Sequence, residues 1–308
     1  MTFSYRFLGL TLASDVCLPG VFPDDQESVD LRLVRTEPDF DKGGFQVVHE
    51  WRDTESEGAP VVLTCARNEK TYRLSFPNGP DIWLSRERAT VWYSPDTSVS
   101  DLSHRLSAQV LPRLVAGRGE LVLHAAGVVT PGGAVGLVGA SGSGKSTLEA
   151  SCQADGLNVL SDDCLGIRCD GTLVEAVGSH PGIRVYPESV LSLSLEPPTH
   201  PSPDDMGKVR LASRPPPGAV ADLRSLIVLK PSEDLALQEM TGAEASMRLM
   251  SEAYSLDPSD RVEARSRLSA ISKLLGSGIR VYELSYPWTP ECLPEVRGLI
   301  RAAGSHAR

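Results

Sequence analysis

An α/β fold organised around a phosphate-binding loop, preceded by a mainly β domain, is what the sequence predicts. Residues 139–147 read Gly-Ala-Ser-Gly-Ser-Gly-Lys-Ser-Thr, set between a short apolar run and a helix-forming run. Residues 3–93 carry short alternating apolar segments separated by turn residues. From Ser100 the apolar spacing lengthens to three or four residues, the period of a helix. The composition shift suggests a mainly β domain over residues 1–100, a possible substrate-recognition unit, and a phosphate-loop domain over residues 101–308.

In the first domain the alternation Phe-x-Tyr-x-Phe over Phe3 to Leu12 predicts a strand, and Pro19-Gly20 and Pro23-Asp24-Asp25 mark turns. Further strands are expected at Val29–Arg35, Phe45–Trp51, Pro60–Ala66, Thr71–Phe76, Ile82–Leu84 and Ala89–Tyr93, forming a small antiparallel unit. Trp51, Trp83 and Trp92 all fall here. Packing of a β domain accounts for them, with a peptide-binding face as the alternative. Ser100 to Val115 then predicts an amphipathic helix carrying Leu102, Leu106, Val110, Leu111 and Leu114, interrupted by Pro112 and ended by Gly117.

Glu120–Thr130 is the next predicted strand, with His124 inside it, and Pro131-Gly132-Gly133 turns the chain into the apolar run Ala134–Val138. The loop that follows has glycine, four residues, then Gly-Lys-Ser: Gly139, Gly144, Lys145 and Ser146. Its chemistry is that of a triphosphate cradle. Glycines permit positive φ, so backbone N–H groups can converge on phosphate oxygens. Gly139, Ala140, Ser141, Gly142, Ser143, Gly144, Lys145, Ser146 and Thr147 are the candidate nucleotide contacts. Lys145 supplies a mobile ammonium, the Ser146 hydroxyl a ligand for Mg²⁺, and a helix opening at Lys145 its positive dipole end.

Only 17 residues after Lys145, in an apolar strand expected over 158–167, come Asp162 and Asp163. Buried carboxylates are costly without a cation or hydrogen-bond donors. Neighbours in a strand point to opposite faces, so the two aspartates are expected to do different work, one toward Mg²⁺ and one toward a substrate hydroxyl. A helix and a return crossover would set this strand beside the loop strand.

His124-Ala-Ala-Gly-Val-Val, the loop 139–147 and Leu160-Ser-Asp-Asp-Cys-Leu resemble the catalytic core of the HPr kinase/phosphorylase family, itself related to ATP-dependent phosphoenolpyruvate carboxykinase. The resemblance spans about Leu121 to Pro187 and implies an ATP- and Mg²⁺-dependent kinase of serine or threonine hydroxyls. It implies that Asp162 is the general base, Asp163 and Ser146 hold the metal, and His124 tunes the base. Arg184 and Lys208 are then candidate contacts to phosphate or substrate. The family's downstream Glu-x-Arg-Gly segment is not matched: the nearest stretch, Glu175 to Pro187, keeps Arg184 without the glutamate. The chain looks closer to divergent HPr-kinase-like proteins tied to peptide modification, including kinases of lasso-peptide precursors. The implied partner is a peptide or protein phosphoacceptor; the alternatives are a kinase of small-molecule hydroxyls and a non-catalytic nucleotide-binding regulator.

Downstream, residues 195–218 are rich in proline and charge and predict a loop able to close over a substrate, with Lys208 and Arg210 as its cations. Leu223–Leu229 predicts a core strand, and Ala243–Met250 and Val262–Leu275 predict helices. The second of these carries Leu268, Ile271, Leu274 and Leu275 on one side and ends at Gly276 and Gly278. Ile279–Leu284 is a last strand and Leu293–Ala303 a closing helix.

The 308 residues are 41% hydrophobic and 23% charged, as in an ordinary globular protein. A net charge of -10 argues against a nucleic-acid partner, which would need clustered Lys and Arg. No apolar stretch is long enough for a membrane helix, and the alternating N-terminus does not resemble a signal peptide. Six cysteines without a Cys-x-x-Cys pair suggest a reducing, cytoplasmic setting. A homo-oligomer remains open.

Overall fold

A computed structural model describes the chain except residues 1, 20, 26–27, 39–43, 53–57, 180–181, 194, 196–206, 214–218 and 306–308. It is a mixed α/β protein with two compact units: Met1–Gly119 with Ser255–Ser266, and Glu120–Tyr254 with Arg267–Arg308. The expected boundary at residue 100 is therefore displaced. The helical stretch after it belongs to the first unit, because its side chains are anchored there. Ser103 Oγ donates to the Pro19 carbonyl at 2.6 Å, and the Arg113 guanidinium lies 4.3 Å over the Trp51 ring. Residues 255–266 return to the same unit, where Asp257 pairs with Arg67 and Glu263 lies 3.7 Å from Arg88.

The strands of the first unit are β1 (Phe3–Phe7), β2 (Leu10–Ser14), β3 (Phe22–Pro23), β4 (Leu31–Arg35), β5 (Gln46–Arg52), β6 (Val61–Arg67), β7 (Thr71–Ser75), β8 (Asp81–Ser85) and β9 (Thr90–Tyr93). They form one sheet in the order β3-β1-β2-β4-β9-β8-β7-β6-β5. The expected antiparallel unit is only partly realised, since β2–β4 and β4–β9 run parallel. Ile82, Trp83 and Leu84 of β8 are all buried, whereas edge strand β5 exposes Val47. Trp83 faces Trp92 across β8 and β9. Helix α1 (Val99–Arg105) passes through a π-helical turn at Leu106–Val110 into α2 (Leu111–Gly117). Pro112 lies directly after the π-helical turn, where the widened backbone accommodates a residue without an N–H. The helix expected from 100 to 115 is therefore continuous, with its hydrogen-bond period altered ahead of the proline.

The second unit contains β10 (Leu121–Leu123), β11 (Ala125–Thr130), β12 (Gly133–Val138), α3 (Lys145–Ala154), β13 (Asn158–Ser161), β14 (Leu165–Asp170), β15 (Leu173–Gly178), β16 (Ile183–Val185), α4 (Pro187–Ser192), β17 (Val209–Leu211), β18 (Val220–Pro231), β19 (Ala236–Glu239) and α5 (Gly242–Glu252). α6 (Arg261–Gly276), β20 (Arg280–Tyr286) and α7 (Leu293–Ser305) complete the chain. The sheet runs β10-β14-β15-β18-β12-β11-β13, with β20 paired to β18 and β19 to β20. β12, β18 and β20 are parallel and form its centre. Val135 and Leu137, alternate residues of β12, share one buried cluster with Leu148 and Cys152 of α3 and Val296 and Ile300 of α7. In α6, Ile271 and Leu274 are buried as expected, but Leu268 is 49% exposed.

Three strand expectations fail: Phe3 to Leu12 is a hairpin, because Leu8 and Gly9 take positive φ and turn β1 back onto β2, and the other two failures create the site. The strand expected over 120–130 breaks at His124, between β10 on β14 and β11 on β12. The strand expected over 158–167 breaks at Asp162 and Asp163, and Asp163 takes a left-handed φ of 62°. β13 also lies beside β11 rather than beside β12. The β11–β12 hairpin occupies that flank of β12, and β18 occupies the other.

Candidate functional site

The loop between β12 and α3 is formed by its glycines. Gly142 has φ 80° and Gly144 φ 85°, values that a side chain would strain. The first helical bond runs from Leu148 N–H to the Gly144 carbonyl. The N–H groups of Lys145, Ser146 and Thr147 therefore lie outside the helical ladder, at the positive end of the dipole. Ser143 Oγ is buried with no hydrogen-bond partner among the described residues. Unmatched donors, positive φ and a helix N-terminus in one loop suit a phosphate group. Lys145 is buried, and its Nζ donates to the carbonyls of Gly139 at 2.5 Å and Ala140 at 3.1 Å. Burial lowers its pKa, partly offset by the carboxylates of Asp163, Glu252 and Asp162.

Beside the loop lie the two aspartates, with contacts opposite to those expected. Asp162 is fully buried; Ser146 Oγ donates to its Oδ1 at 3.0 Å and the Arg184 N–H to its Oδ2 at 2.7 Å. Asp163, with 21% of its side chain exposed, places Oδ1 3.7 Å from His124 Nε2 and Oδ2 3.8 Å from the Arg184 guanidinium. His124 thus sits against Asp163 and not against Asp162, and Ser146 sits against Asp162 and not against Asp163. The cause is the turn at 162–163: the left-handed Asp163 aims its carboxylate to the side occupied by His124.

These environments separate the protonation states. Burial opposes charge on Asp163, but His124, Lys145 and Lys208 outweigh it and hold the carboxyl far below the usual range. Burial and the charge of Asp163 raise Asp162, against the hydrogen bonds it accepts from Arg184 and Ser146. Burial works against protonating His124, yet Asp163 and Glu252 raise its pKa. Glu252 Oε2 stands 3.7 Å from His124 Nδ1. It is brought there by backbone pairing: His124 N–H donates to the Glu252 carbonyl at 2.7 Å, and Tyr254 N–H to the Val122 carbonyl at 2.9 Å. The imidazole is therefore held between two carboxylates.

Glu149 and Glu252 escape a reading of the sequence. Glu149 follows Ser146 by three residues, one helical step along the same face, and that spacing was the available signal. It is fully buried, and no described donor reaches either of its oxygens. Burial first, and then the neighbouring Asp162, push its pKa well above the usual carboxylate range. Glu252 has no comparable local signal, since it lies 128 residues from His124 in the chain.

A cavity of about 340 Å³ opens over the loop, lined also by Asp163, Arg184, Tyr186, Lys208, Tyr286 and Trp288. Arg184 and Arg210 are paired across β16 and β17, and Lys208 Nζ lies 5.2 Å from the Tyr186 ring centre. The structure thus brings Lys208, Arg184, Asp162, Asp163, His124 and the loop together. Most of the predicted 195–218 loop lies outside the described residues. Among the described residues no group of three His, Cys, Asp or Glu side chains is arranged to hold a metal alone, and none of the helices is long and apolar enough to cross a membrane. Mg²⁺ needs no such cage, taking one or two carboxylates together with substrate phosphates. Asp162 with Ser146 fits that donor set.

No family model matches the sequence, and no curated protein matches it. Among solved structures, the chain is similar to the Hpr(Ser) kinase/phosphatase from Coxiella burnetii, at 11% identity and a TM-score of 0.32, over 59% of this chain and 94% of that one.

Proposed function

We propose that the second unit is an ATP- and Mg²⁺-dependent phosphotransferase that acts on a serine or threonine hydroxyl of a peptide or protein, with the mainly β unit taking part in its recognition. The observation that carries this reading is the division of labour between adjacent aspartates: one bonded to the loop serine, the other facing the cavity against a histidine and an arginine. The nucleotide phosphates take the unmatched N–H groups of Lys145, Ser146 and Thr147 and the ammonium of Lys145. Ser146 and Asp162 would hold Mg²⁺, which when bound neutralises charge on the phosphate oxygens.

Asp163 accepts the proton of the acceptor hydroxyl. A carboxylate with so low a pKa is a weak base, so it takes the proton late, when bonding to phosphorus has made the hydroxyl oxygen acidic. His124, kept oriented by Glu252, holds the Asp163 carboxylate in place until then, and Arg184 neutralises the transferring phosphoryl group. Lys208, at the cavity edge, adds a second positive charge. Positioning and charge neutralisation supply most of the acceleration in phosphoryl transfer, and every group named here does one or the other.

The test is transfer of labelled phosphate from ATP to serine- and threonine-containing peptides with Mg²⁺, alongside nucleotide binding. Asp163→Asn lowers transfer by about 10²- to 10⁴-fold with ATP affinity nearly unchanged. Asp162→Asn raises the Mg²⁺ concentration needed for half-maximal rate. Should Asp163→Asn turn over like the parent while Asp162→Asn alone is dead, the base is Asp162. Transfer to small hydroxyl compounds but to no peptide would move the acceptor to that class.

A further inference from the structure

One wall of the cavity takes no part in the chemistry above. Tyr286 ends β20, and Trp288, Thr289, Pro290 and Leu293 continue that wall to the start of α7. Its neighbours are buried, Tyr286 at 3% and Leu293 at 7% exposure, but Trp288 is 51% exposed. A Cβ placed on Gly144 would lie 2.9 Å from the Tyr286 hydroxyl and 4.0 Å from Trp288 Cε2. The indole therefore stands within about one van der Waals contact of the phosphate loop. A half-exposed aromatic ring at the edge of a cavity offers a flat face, and no ring or cation among the described residues stacks on it.

We propose that Trp288 is the stacking platform for the nucleobase. This rests on the nucleotide reading of the loop and adds to it the part of the ligand that the loop cannot recognise. Phosphates held by the Lys145–Thr147 backbone leave the sugar and base to extend along the same cavity, whose next wall is this aromatic one. Stacking on an indole accepts any base, because every base has a π face. Trp288 thus contributes affinity for nucleoside over bare polyphosphate rather than a choice among bases. The proline beside Thr289 restricts the backbone that carries the ring and limits the entropy lost when the base is bound.

The experiment compares ATP with inorganic tripolyphosphate, each titrated into the full-length protein with Mg²⁺ and followed by calorimetry, for the parent, Trp288→Ala and Trp288→Phe. Trp288→Ala is expected to bind ATP about tenfold more weakly and tripolyphosphate unchanged, and Trp288→Phe to recover most of the loss. Unchanged ATP affinity in Trp288→Ala overturns the stacking role, and so does an equal loss for both ligands, which would mean that the ring only supports the loop. If the parent binds tripolyphosphate but gains nothing from the nucleoside, the stacking role falls while the phosphate site stands. If it binds neither ligand, the nucleotide reading fails first and this one with it.

Discussion

In the first unit arginines lie flat on aromatic rings; in the second, carboxylates crowd around one loop. Arg73 lies 4.5 Å from the Phe45 ring centre, Arg86 4.5 Å from Tyr72, Arg105 4.6 Å from Phe76 and Arg113 4.3 Å from Trp51. Each of these cations has a partner within its own unit and needs nothing from a ligand. Around the loop of the second unit, Glu149, Asp162, Asp163 and Glu252 meet His124, Lys145 and Arg184, and Glu149 and Asp163 are driven in opposite directions. Charge compensated by ring faces holds a sheet together. Charge compensated only in part, beside unmatched N–H donors, is what the proposed anion and metal would complete. The difference follows from topology: strands that break at the end of a parallel core expose polar groups there, whereas β8, continuously paired within its sheet, does not.

The largest expected effect that would break this comparison is a core truncation in each unit. Leu74→Ala and Leu137→Ala both remove fully buried leucines, and each is expected to cost about 2–5 kcal/mol in denaturant unfolding. Only Leu137→Ala, directly behind the loop, should also weaken ATP binding. Equal weakening by both would show that binding follows overall stability and not the support of the loop.

A smaller effect sharpens the account of charge in the second unit. Glu149→Gln keeps the shape of the side chain without a charge and is expected to change stability by no more than about 1 kcal/mol, while Glu149→Ala costs about 1–3 kcal/mol. If the glutamine variant loses as much as the alanine variant, an uncharged side chain of this shape is not what the position requires.

The smallest effect belongs to the first unit. Burial opposes the charge of Asp24, but Arg6, 2.8 Å away, outweighs it and lowers the pKa. A lowered folded-state pKa stabilises the unit above the unfolded value of about 3.9, and that stability is lost as pH falls through the folded value. Asp24→Asn should therefore flatten the acid limb of a stability–pH curve and leave the neutral region nearly level. An acid limb unchanged from the parent's would place the relevant carboxylate elsewhere.

Much of the site was legible in the residues because its core is local. The loop from Gly139 to Thr147, the helix after it and the nearness of Asp162 and Asp163 depend on turn chemistry within a short stretch of chain. The closing helix and the strand at 279–284 were equally legible from their periodicity. What sequence reasoning misplaced was the pairing within the site. An alternation argument assumes an unbroken strand, and both relevant strands break, at His124 and at Asp162. Once Asp163 adopts a left-handed backbone, its carboxylate turns to His124 and leaves Asp162 with Ser146. No periodicity carries that exchange.

The sequence alone thus determined where a glycine-rich loop opens a helix, and that an acidic pair and a histidine accompany it, since each is written within one element or one turn. Tertiary structure alone decided which aspartate meets which partner. It also brought Glu252 to His124 and Trp288 to the wall of the cavity over the loop, each more than 100 residues from its neighbour in the site. Those outcomes depend on the order of strands in the sheet, which is set by packing between distant segments and not by any local preference of the chain.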